Sequence, residues 1–341
     1  PAHRAYLRGP QKEEADVIRF LIRRIVLGLI TLWVIITLVF VLYYARPGVD
    51  PARELAGRAV TPALLANINK EYGFDQPVIV QYWHYLERLV PIPGHFDLGI
   101  SNNNRLPVTT IIAQAVPIDL SLAAGAAVLW TVIGISVGVL AARRPRSLMD
   151  RGATVFVLTG VSMPVFILGL LLLYVLYYLL TIHGIAIFPK PGSWTPITTN
   201  PLEWAHDLIL PWITVALVIA ATYSRLTRSS LLETLGEDYI RTARAKGLSE
   251  RRVVYRHALR SSLTPIVTQF GIDLAGVMGG AIVTESIFGL PGLGLAVVQA
   301  IQVQNLPVVI GIVLVSAAFV VAANIVVDAL YAVLDPRVRV S

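Results

Sequence analysis

The chain alternates between six long apolar runs and the polar stretches that separate them. A helix rises about 1.5 Å per residue, so about 20 apolar residues span the hydrocarbon core of a bilayer. The first run is too long for the apolar region of a signal peptide, so we expect a retained helix. Pro164 predicts a kink within the third run. The pattern therefore predicts six membrane-spanning helices, at residues 25–45, 120–142, 152–182, 208–224, 266–284 and 308–327.

Composition agrees with a membrane protein. Hydrophobic residues make up 55% of the chain and charged residues 14%, and the mean hydropathy is +0.68. The net charge of +7 could suit a nucleic acid, but the basic residues lie in short blocks between apolar runs. Such blocks indicate membrane topology, so we expect no nucleic-acid partner. The absence of cysteine excludes disulfides and thiolate metal sites.

The distribution of Lys and Arg predicts the orientation of the helices. Basic residues are concentrated in residues 1–24, 143–151, 225–260 and 337–339, whereas Lys190 stands alone between the third and fourth runs. Short loops rich in Lys and Arg remain on the cytoplasmic side. The alternation predicts that both ends of the chain are cytoplasmic. The long stretch between the first two runs also holds basic residues, but long translocated segments largely escape this rule.

That stretch, residues 46–117, is too polar to cross a bilayer. It predicts a small extracytoplasmic subdomain with one or two helices, whose aromatic side chains form its own core. The remaining segments follow from this placement. We expect a cytoplasmic segment at residues 1–24, a first span at 25–45, a helical core at 118–334 and a cytoplasmic tail at 335–341.

The most informative stretch is a strongly basic island at residues 237–265, which predicts two short helices joined by a glycine. Acidic residues at 237 and 238 suit the exposed N–H groups of a helix start, and Arg244 and Lys246 suit its last turn. Gly247 supplies a helix stop, and Ser249 is a good N-cap for the second helix. In that helix four apolar residues can be buried (Val253, Val254, Ala258, Leu259) while three arginines stay in water (Arg252, Arg256, Arg260).

The island resembles the cytoplasmic EAA loop of ABC-importer permeases, in the form used by dipeptide and oligopeptide importers. The matching string is R-T-A-R-A-K-G at residues 241–247, followed by R-H-A-L-R at residues 256–260 and Pro265. The glutamate that names the motif is Arg241 here, and the gap between Gly247 and Pro265 is longer than in sugar importers. Both departures resemble the peptide-importer subset.

The resemblance extends over nearly the whole chain. Similar stretches lie at residues 72–77, 97–99, 284–294 and 328–337. The implied fold is an all-α transmembrane, six-helix bundle of the type I ABC-importer permease, with a small extracytoplasmic subdomain after helix 1. The implied location is the inner membrane of a bacterial cell.

The resemblance also implies partners and site residues. A second related permease would complete the translocation path, two ATPase subunits would bind ATP and magnesium, and a binding protein would deliver substrate from outside. The loop would contact the ATPase. Its predicted coupling residues are Tyr239, Arg241, Thr242, Ala243, Arg244, Ala245, Lys246, Gly247 and Leu248. We expect Gly247→Pro or Ala243→Glu to uncouple transport from ATP hydrolysis.

Two acids are candidates for the translocation path. Asp273 lies within the fifth run, where an ionisable residue usually faces a bundle interior or a water-filled path. Glu285 lies at the start of the run 284–294. The glycines and proline at residues 289–294 of this run predict a tight re-entrant turn. For Asp273, a local structural pairing is an equally open reading. If it serves the path, Asp273→Leu impairs transport without disrupting assembly.

Several alternatives stay open at this point. The basic island could instead satisfy topology or touch anionic lipid. Gly134 and Gly138 predict close helix packing, although with Ser136 they also match the G-x-S-x-G pattern of hydrolases, which requires a strand before the serine. The sequence has no Walker A string and no H-E-x-x-H motif, so we expect no ATPase or cofactor site of its own. Cargo could be peptides, nickel chelates or glutathione, and an ion-driven transporter is a distant rival.

Overall fold

The computed structural model describes residues 10–45, 50–56, 60–90, 96–278 and 281–334. Within these residues the only β pairing is an isolated antiparallel bridge between Ile100 and Pro107. Nearly all of the rest is helical. The helices in chain order are α1 Pro10–Tyr43, α2 Pro51–Ala56, α3 Pro62–Tyr72, α4 Val78–Arg88, α5 Val108–Arg143, α6 Leu148–Ser162, α7 Val165–Ile182, α8 Pro201–Leu235, α9 Asp238–Ala245, α10 at residues 250–262, α11 Thr264–Met278, α12 Ile282–Phe288, α13 Leu293–Gln302 and α14 Leu306–Leu334.

Five of these helices are long and apolar enough to cross a membrane, namely α1, α5, α7, α8 and α14. The fifth predicted span is a bent pair, in which α11 and α12 meet at an angle of 53°. The six predicted spans are therefore all present when this pair counts as one. The predicted tail at 335–341 lies outside the described residues.

Several helices extend beyond their apolar runs. Helix α5 begins at Val108, so the predicted boundary at residue 117 between subdomain and core falls inside a helix, and α8 begins at Pro201 rather than near 208. Helical hydrogen bonds continue through polar turns, whereas hydropathy marks only the apolar part. Pro117 and Pro211 lie inside α5 and α8 without ending them. Pro164, predicted to kink the third span, instead lies at a break between α6 and α7, so the part long enough to cross a membrane is Val165–Ile182 and not the whole of 152–182.

Helices α5 and α8 form the centre of the bundle, and glycines allow their backbones to approach. A Cβ on Gly134 would lie 2.3 Å from the Cβ of Tyr223, and one on Gly138 would lie 2.6 Å from the Cβ of Thr227. This confirms the packing interpretation of the two glycines. Because α5 is continuous through them, the strand required by a hydrolase elbow is absent, and Ser136 lies within a helix.

The segment between α1 and α5 packs against the end of α1 through an aromatic cluster. The rings of Tyr44 and Phe74 stack at 5.7 Å, those of Tyr72 and Phe74 at 5.6 Å, and Tyr85 lies 5.3 Å from Tyr44. Burial raises the pKa of the Tyr72 and Tyr85 hydroxyls above the ordinary tyrosine value. The aromatics therefore form a core for this segment, as predicted, while Trp83 is 62% exposed. The segment holds three short helices, α2, α3 and α4, where one or two were expected, because α2 is too short to carry a helical pattern in the sequence.

Helix α14 closes the bundle against α1 and α11. Arg24 of α1 pairs with Asp328 of α14 at 3.3 Å. On α11, a Cβ added to Gly271 would lie 2.1 Å from Cγ1 of Val327, so the backbone of α11 approaches α14 closely. These contacts bring the first, fifth and sixth spans together around the α5–α8 centre.

Candidate functional site

The basic island folds into two helices, as predicted. Helix α9 follows α8 after a break of two residues, and Asp238 lies in its first turn. Ile240 and Ala243 are its buried positions, at 0% and 8% exposure. They are three residues apart and therefore share one face of the helix. The basic residues Arg241, Arg244 and Lys246 are all exposed.

Gly247 ends the first helix in a left-handed conformation, with φ of +76°. No atom lies within 4 Å of the position that a Cβ would occupy there. The glycine is therefore required by its backbone conformation alone, since an L-residue adopts such a φ at a cost of about 1–2 kcal/mol. Its N–H donates to the carbonyl of Arg244 at 2.9 Å, which holds the turn against the end of α9.

Helix α10 combines two α-helical ends, Glu250–Arg252 and Leu259–Ser262, with π-helical turns at Val253–Ala258. The predicted division of faces is confirmed: Val253, Val254 and Ala258 are buried, Leu259 is half-buried, and the three arginines are exposed. Ser249 stands at the predicted N-cap position, but its side chain makes no capping bond.

The buried faces of both helices rest on one group of apolar residues, which we call the anchoring cluster. It joins the basic island at residues 237–265, which we call the coupling loop after its predicted role, to the ends of α5 and α8. Its fully buried members are Val139 and Ala142 of α5, Leu231 of α8, Ile240 and Ala243 of α9, and Val253, Val254 and Ala258 of α10. The loop is therefore fixed on the bundle by hydrophobic packing, a non-directional attraction that leaves its polar groups free to face outward.

Of the nine predicted coupling residues, the structure buries Ala243 and half-buries Leu248, and it exposes the other seven. Arg244 donates two hydrogen bonds to Glu250 across the turn, at 3.1 and 2.8 Å. These bonds hold the pKa of the Glu250 carboxyl below its ordinary value and raise that of the Arg244 guanidinium. The loop thus presents a rigid, mainly basic surface.

Asp273 lies half-buried on α11 and has a local partner. The side-chain amide of Gln269, one turn earlier, donates to both of its carboxylate oxygens at 3.1 Å. Such an i, i+4 pair satisfies the acid within its own helix. The structure thus favours the local pairing for this single chain, and a role in the path stays a prediction.

Glu285 lies inside the protein, with 0% exposure. It accepts a hydrogen bond from the N–H of Leu295 at 2.9 Å, in the first turn of α13. Asp119 of α5, which sequence reasoning did not single out, accepts from the N–H of Leu293 in the same turn at 3.2 Å. Both acids therefore supply acceptor oxygens to N–H groups in the first turn of α13, which have no partner within the helix.

Both carboxylates also lie against the residues that join α12 to α13, which we call the glycine turn (residues 289–292). A Cβ on Gly292 would lie 2.2 Å from Oδ1 of Asp119 and 2.5 Å from Oε2 of Glu285. The predicted tight turn is thus present, with Gly289 at φ of +66°. Asp119 and its partner in α13 are 174 positions apart, so no local pattern could have identified the contact.

Comparison with known proteins agrees with this architecture. Residues 134–340 match the family described as "Binding-protein-dependent transport system inner membrane component", and residues 17–123 match the N-terminal membrane component of the same systems. The chain therefore belongs to this family, the permease subunits of ABC importers. It is a multi-pass protein of the inner membrane with the type I permease fold, and such permeases work with ATPase and substrate-binding partners.

Individual relatives cover almost the whole chain. The dipeptide transport system permease protein DppB of Escherichia coli K12 is 38% identical over 95% of this chain and 99% of its own length. A putative peptide transport system permease of Brucella abortus is 40% identical over 94% and 98%. The glutathione transport system permease protein GsiC of Escherichia coli O6:H1 is 36% identical over 95% and 99%.

Proposed function

We propose that this chain imports dipeptides and oligopeptides as one of two related permease subunits in an ATP-driven complex. The similarity to the dipeptide permease DppB and to the Brucella peptide permease supports peptides as the cargo class. Two ATPase subunits would bind ATP and magnesium on the cytoplasmic side, and a binding protein would deliver the peptide from outside. The chain itself would hydrolyse no ATP and hold no cofactor. Both of its ends would be cytoplasmic.

The observation that carries this proposal is the shape of the coupling loop. Its apolar face is fixed on α5 and α8 by the anchoring cluster, and its basic face is exposed. A docking element that transmits force needs both features, because a loosely attached loop would move without moving the spans. The exposed side chains of α9 and the turn after it would contact the ATPase subunits.

Alternating access follows from this attachment. ATP binding draws the ATPase subunits together, and each carries its coupling loop with it. The spans then open the path first toward the binding protein and later toward the cytoplasm. ATP drives this change because it binds the two states with different affinity. A nucleotide that bound both states equally would leave the equilibrium between them unchanged. Asp273 and Glu285 would influence the path, the first from α11 and the second through the glycine turn.

The test uses Ala245→Glu in the full complex reconstituted into vesicles. Ala245 is exposed, so a glutamate there alters the docking face without disturbing the core. Ala243→Glu would instead place a carboxylate in the anchoring cluster and would confuse unfolding with uncoupling. We expect peptide uptake per ATP hydrolysed to fall about tenfold, a loss of about 1.4 kcal/mol of docking energy.

Ala186→Glu is the matched control, since Ala186 is exposed in the loop between α7 and α8 on the predicted outer side. Its uptake per ATP should equal that of the unaltered protein. Undiminished coupling in Ala245→Glu would contradict the proposed docking face.

Glutathione is the second candidate cargo, favoured by the similarity to GsiC. Glutathione is itself a small peptide-like molecule, so the two readings share most of their chemistry. Uptake of labelled dipeptide and labelled glutathione, each at the same concentration and with the cognate binding protein, separates them. Preferential uptake of glutathione would replace the dipeptide assignment without altering the role of the loop.

A further inference from the structure

An ion pair links the start of α6 to the C-terminal part of α8, two segments that the sequence pattern did not connect. Arg228, on α8, donates from Nε to Oδ1 of Asp150 at 2.6 Å and from Nη2 to Oδ2 at 3.0 Å. Asp150 lies in the first turn of α6 and precedes its partner by 78 positions. Two parallel bonds between a guanidinium and a carboxylate fix both distance and orientation.

The surroundings of Asp150 make this link rigid. Its side chain is 9% exposed, against 27% for Asp328 and 57% for Glu250 in the other ion pairs described above. Its Oδ2 also accepts the N–H of Arg146 at 2.8 Å, which fixes the loop that leads into α6. The guanidinium hydrogen bonds hold the pKa of Asp150 below its ordinary value, so the pair is charged at neutral pH.

The pair lies on a direct route from the coupling loop. Ile240 and Ala243 of α9 belong to the anchoring cluster together with Leu231 of α8. Leu231 is three residues after Arg228, hence one turn away on the same face of α8. Described members of the anchoring cluster come from α5, α8, α9 and α10, and α6 contributes none. A displacement of α9 therefore reaches Arg228 through one turn of helix, and the ion pair carries it to α6.

We propose that Asp150 and Arg228 are positioning residues that transmit movement of the coupling loop to α6 and, through it, to α7. This inference rests on the proposed function, because it assigns a route to the force that the ATPase subunits apply. Movement of the cytoplasmic end of α8 would draw α6 with it while the pair is intact. Without the pair, α6 would still pack on α8 where Gly160 meets Ala221, but its start would no longer follow the end of α8 that carries Arg228.

The experiment measures substrate-stimulated ATP hydrolysis and uptake side by side in the reconstituted complex. Arg228→Lys keeps the charge but loses the two-pronged geometry, and Asp150→Asn removes the charge. In both variants we expect uptake per ATP hydrolysed to fall by about 5- to 100-fold, the range of typical coupling energies, while ATP hydrolysis stays within about twofold. A merely structural role would lower both activities in proportion.

The double variant Asp150→Asn/Arg228→Lys provides an independent readout. If the two side chains act as one link, its uptake per ATP should be no lower than that of the worse single variant. If the fold-loss of uptake per ATP in the double variant equals the product of the losses in the two single variants, the proposal is overturned. Where Asp150→Asn does not assemble, Arg228→Lys decides alone. The matched control is Arg53→Lys, which alters an exposed pair with Asp50 in α2 and should leave the ratio unchanged.

Comparison with Ala245→Glu separates this inference from the proposed function. Uncoupling by Ala245→Glu together with normal coupling in Arg228→Lys would reject the route through α6 and leave the docking face standing. Normal coupling in all of these variants would reject both.

Discussion

In the coupling loop, and again at the glycine turn between α12 and α13, two short helices are joined at a glycine. The two regions nevertheless place their polar side chains in opposite directions. In the coupling loop the apolar residues face inward and seven predicted coupling residues are exposed. In the glycine turn Asp119 and Glu285 are buried at 4% and 0% exposure and bind backbone N–H groups. Outward charges are available to a partner, whereas inward charges specify how the chain itself is held.

The two glycines differ in the same sense. Gly247 has open space around its missing Cβ and is needed only for its positive φ. Gly292 has an ordinary negative φ, and both carboxylates fill the space that a side chain would take. Substitution should therefore damage assembly at the glycine turn and coupling at the loop.

The largest effect is expected for Gly292→Ala. The new methyl group would displace Asp119 and Glu285 from the N–H groups that they accept, so both the packing and two hydrogen bonds are lost. We expect a destabilisation of about 2–3 kcal/mol, seen as a lower melting temperature and yield of the purified complex. Gly276→Ala is the control, because nothing lies within 4 Å of its Cβ position. An unchanged melting temperature in Gly292→Ala would contradict the buried placement of the two acids.

Glu285→Ala should have the next largest effect. It leaves the N–H of Leu295 without its buried partner, at a cost of about 1–3 kcal/mol. Glu285→Gln retains a carbonyl oxygen in the same place and should lose less. Equal melting temperatures for the two variants would indicate that the bond to Leu295 contributes nothing, and that the acid serves the path instead.

Gly247→Ala should lower stability by only about 1 kcal/mol, because it introduces strain without a steric clash. Gly247→Pro additionally removes the N–H that bonds to Arg244, and its ring fixes φ near −65°, so the turn cannot form. We expect Gly247→Pro to reduce uptake per ATP while the spans remain folded, as judged by normal yield of the complex. Unchanged uptake per ATP in Gly247→Pro would show that the turn at Gly247 is not needed for docking of the ATPase.

The smallest effect is expected for Glu250→Gln. The pair with Arg244 is exposed, so its contribution is no more than a few tenths of a kcal/mol. Because Arg244 lowers the pKa of Glu250 in the folded protein, the pair stabilises above the ordinary glutamate pKa, about 4.3, and this contribution is lost as pH falls through the lowered value. The melting temperatures of the unaltered protein and of Glu250→Gln, measured between pH 7 and pH 3, should converge at the acidic end. A difference between them that grows on acidification would contradict a stabilising pair.

Local patterns predicted the parts of the molecule that local forces determine. The six spans follow from apolar length, and the faces of α10 follow from helical periodicity, as the burial of Val253, Val254 and Ala258 confirms. Gly134 and Gly138 were predicted to bring helices together, because small residues at that spacing permit little else.

Contacts between distant segments could not be predicted in this way. Asp119 lies just after the expected subdomain boundary and looks like an ordinary polar residue of a helix start. Its partner turn in α13 is 174 positions away, and Arg228 is 78 positions from Asp150. The burial of Ala243 was also missed, because an alanine between Thr242 and Arg244 carries no signal for the face that it occupies.

The exposed face of the coupling loop is tested most directly by cross-linking. The sequence contains no cysteine, so Ala245→Cys introduces a single thiol on that face. In the complete complex in native membranes, we expect a cross-linker with one thiol-reactive and one amine-reactive end to join Ala245→Cys to an ATPase subunit. Thr198→Cys, exposed in the loop before α8, should give no such product. Cross-linking of the ATPase by Thr198→Cys, with none by Ala245→Cys in either the presence or the absence of nucleotide, would contradict the proposed docking face.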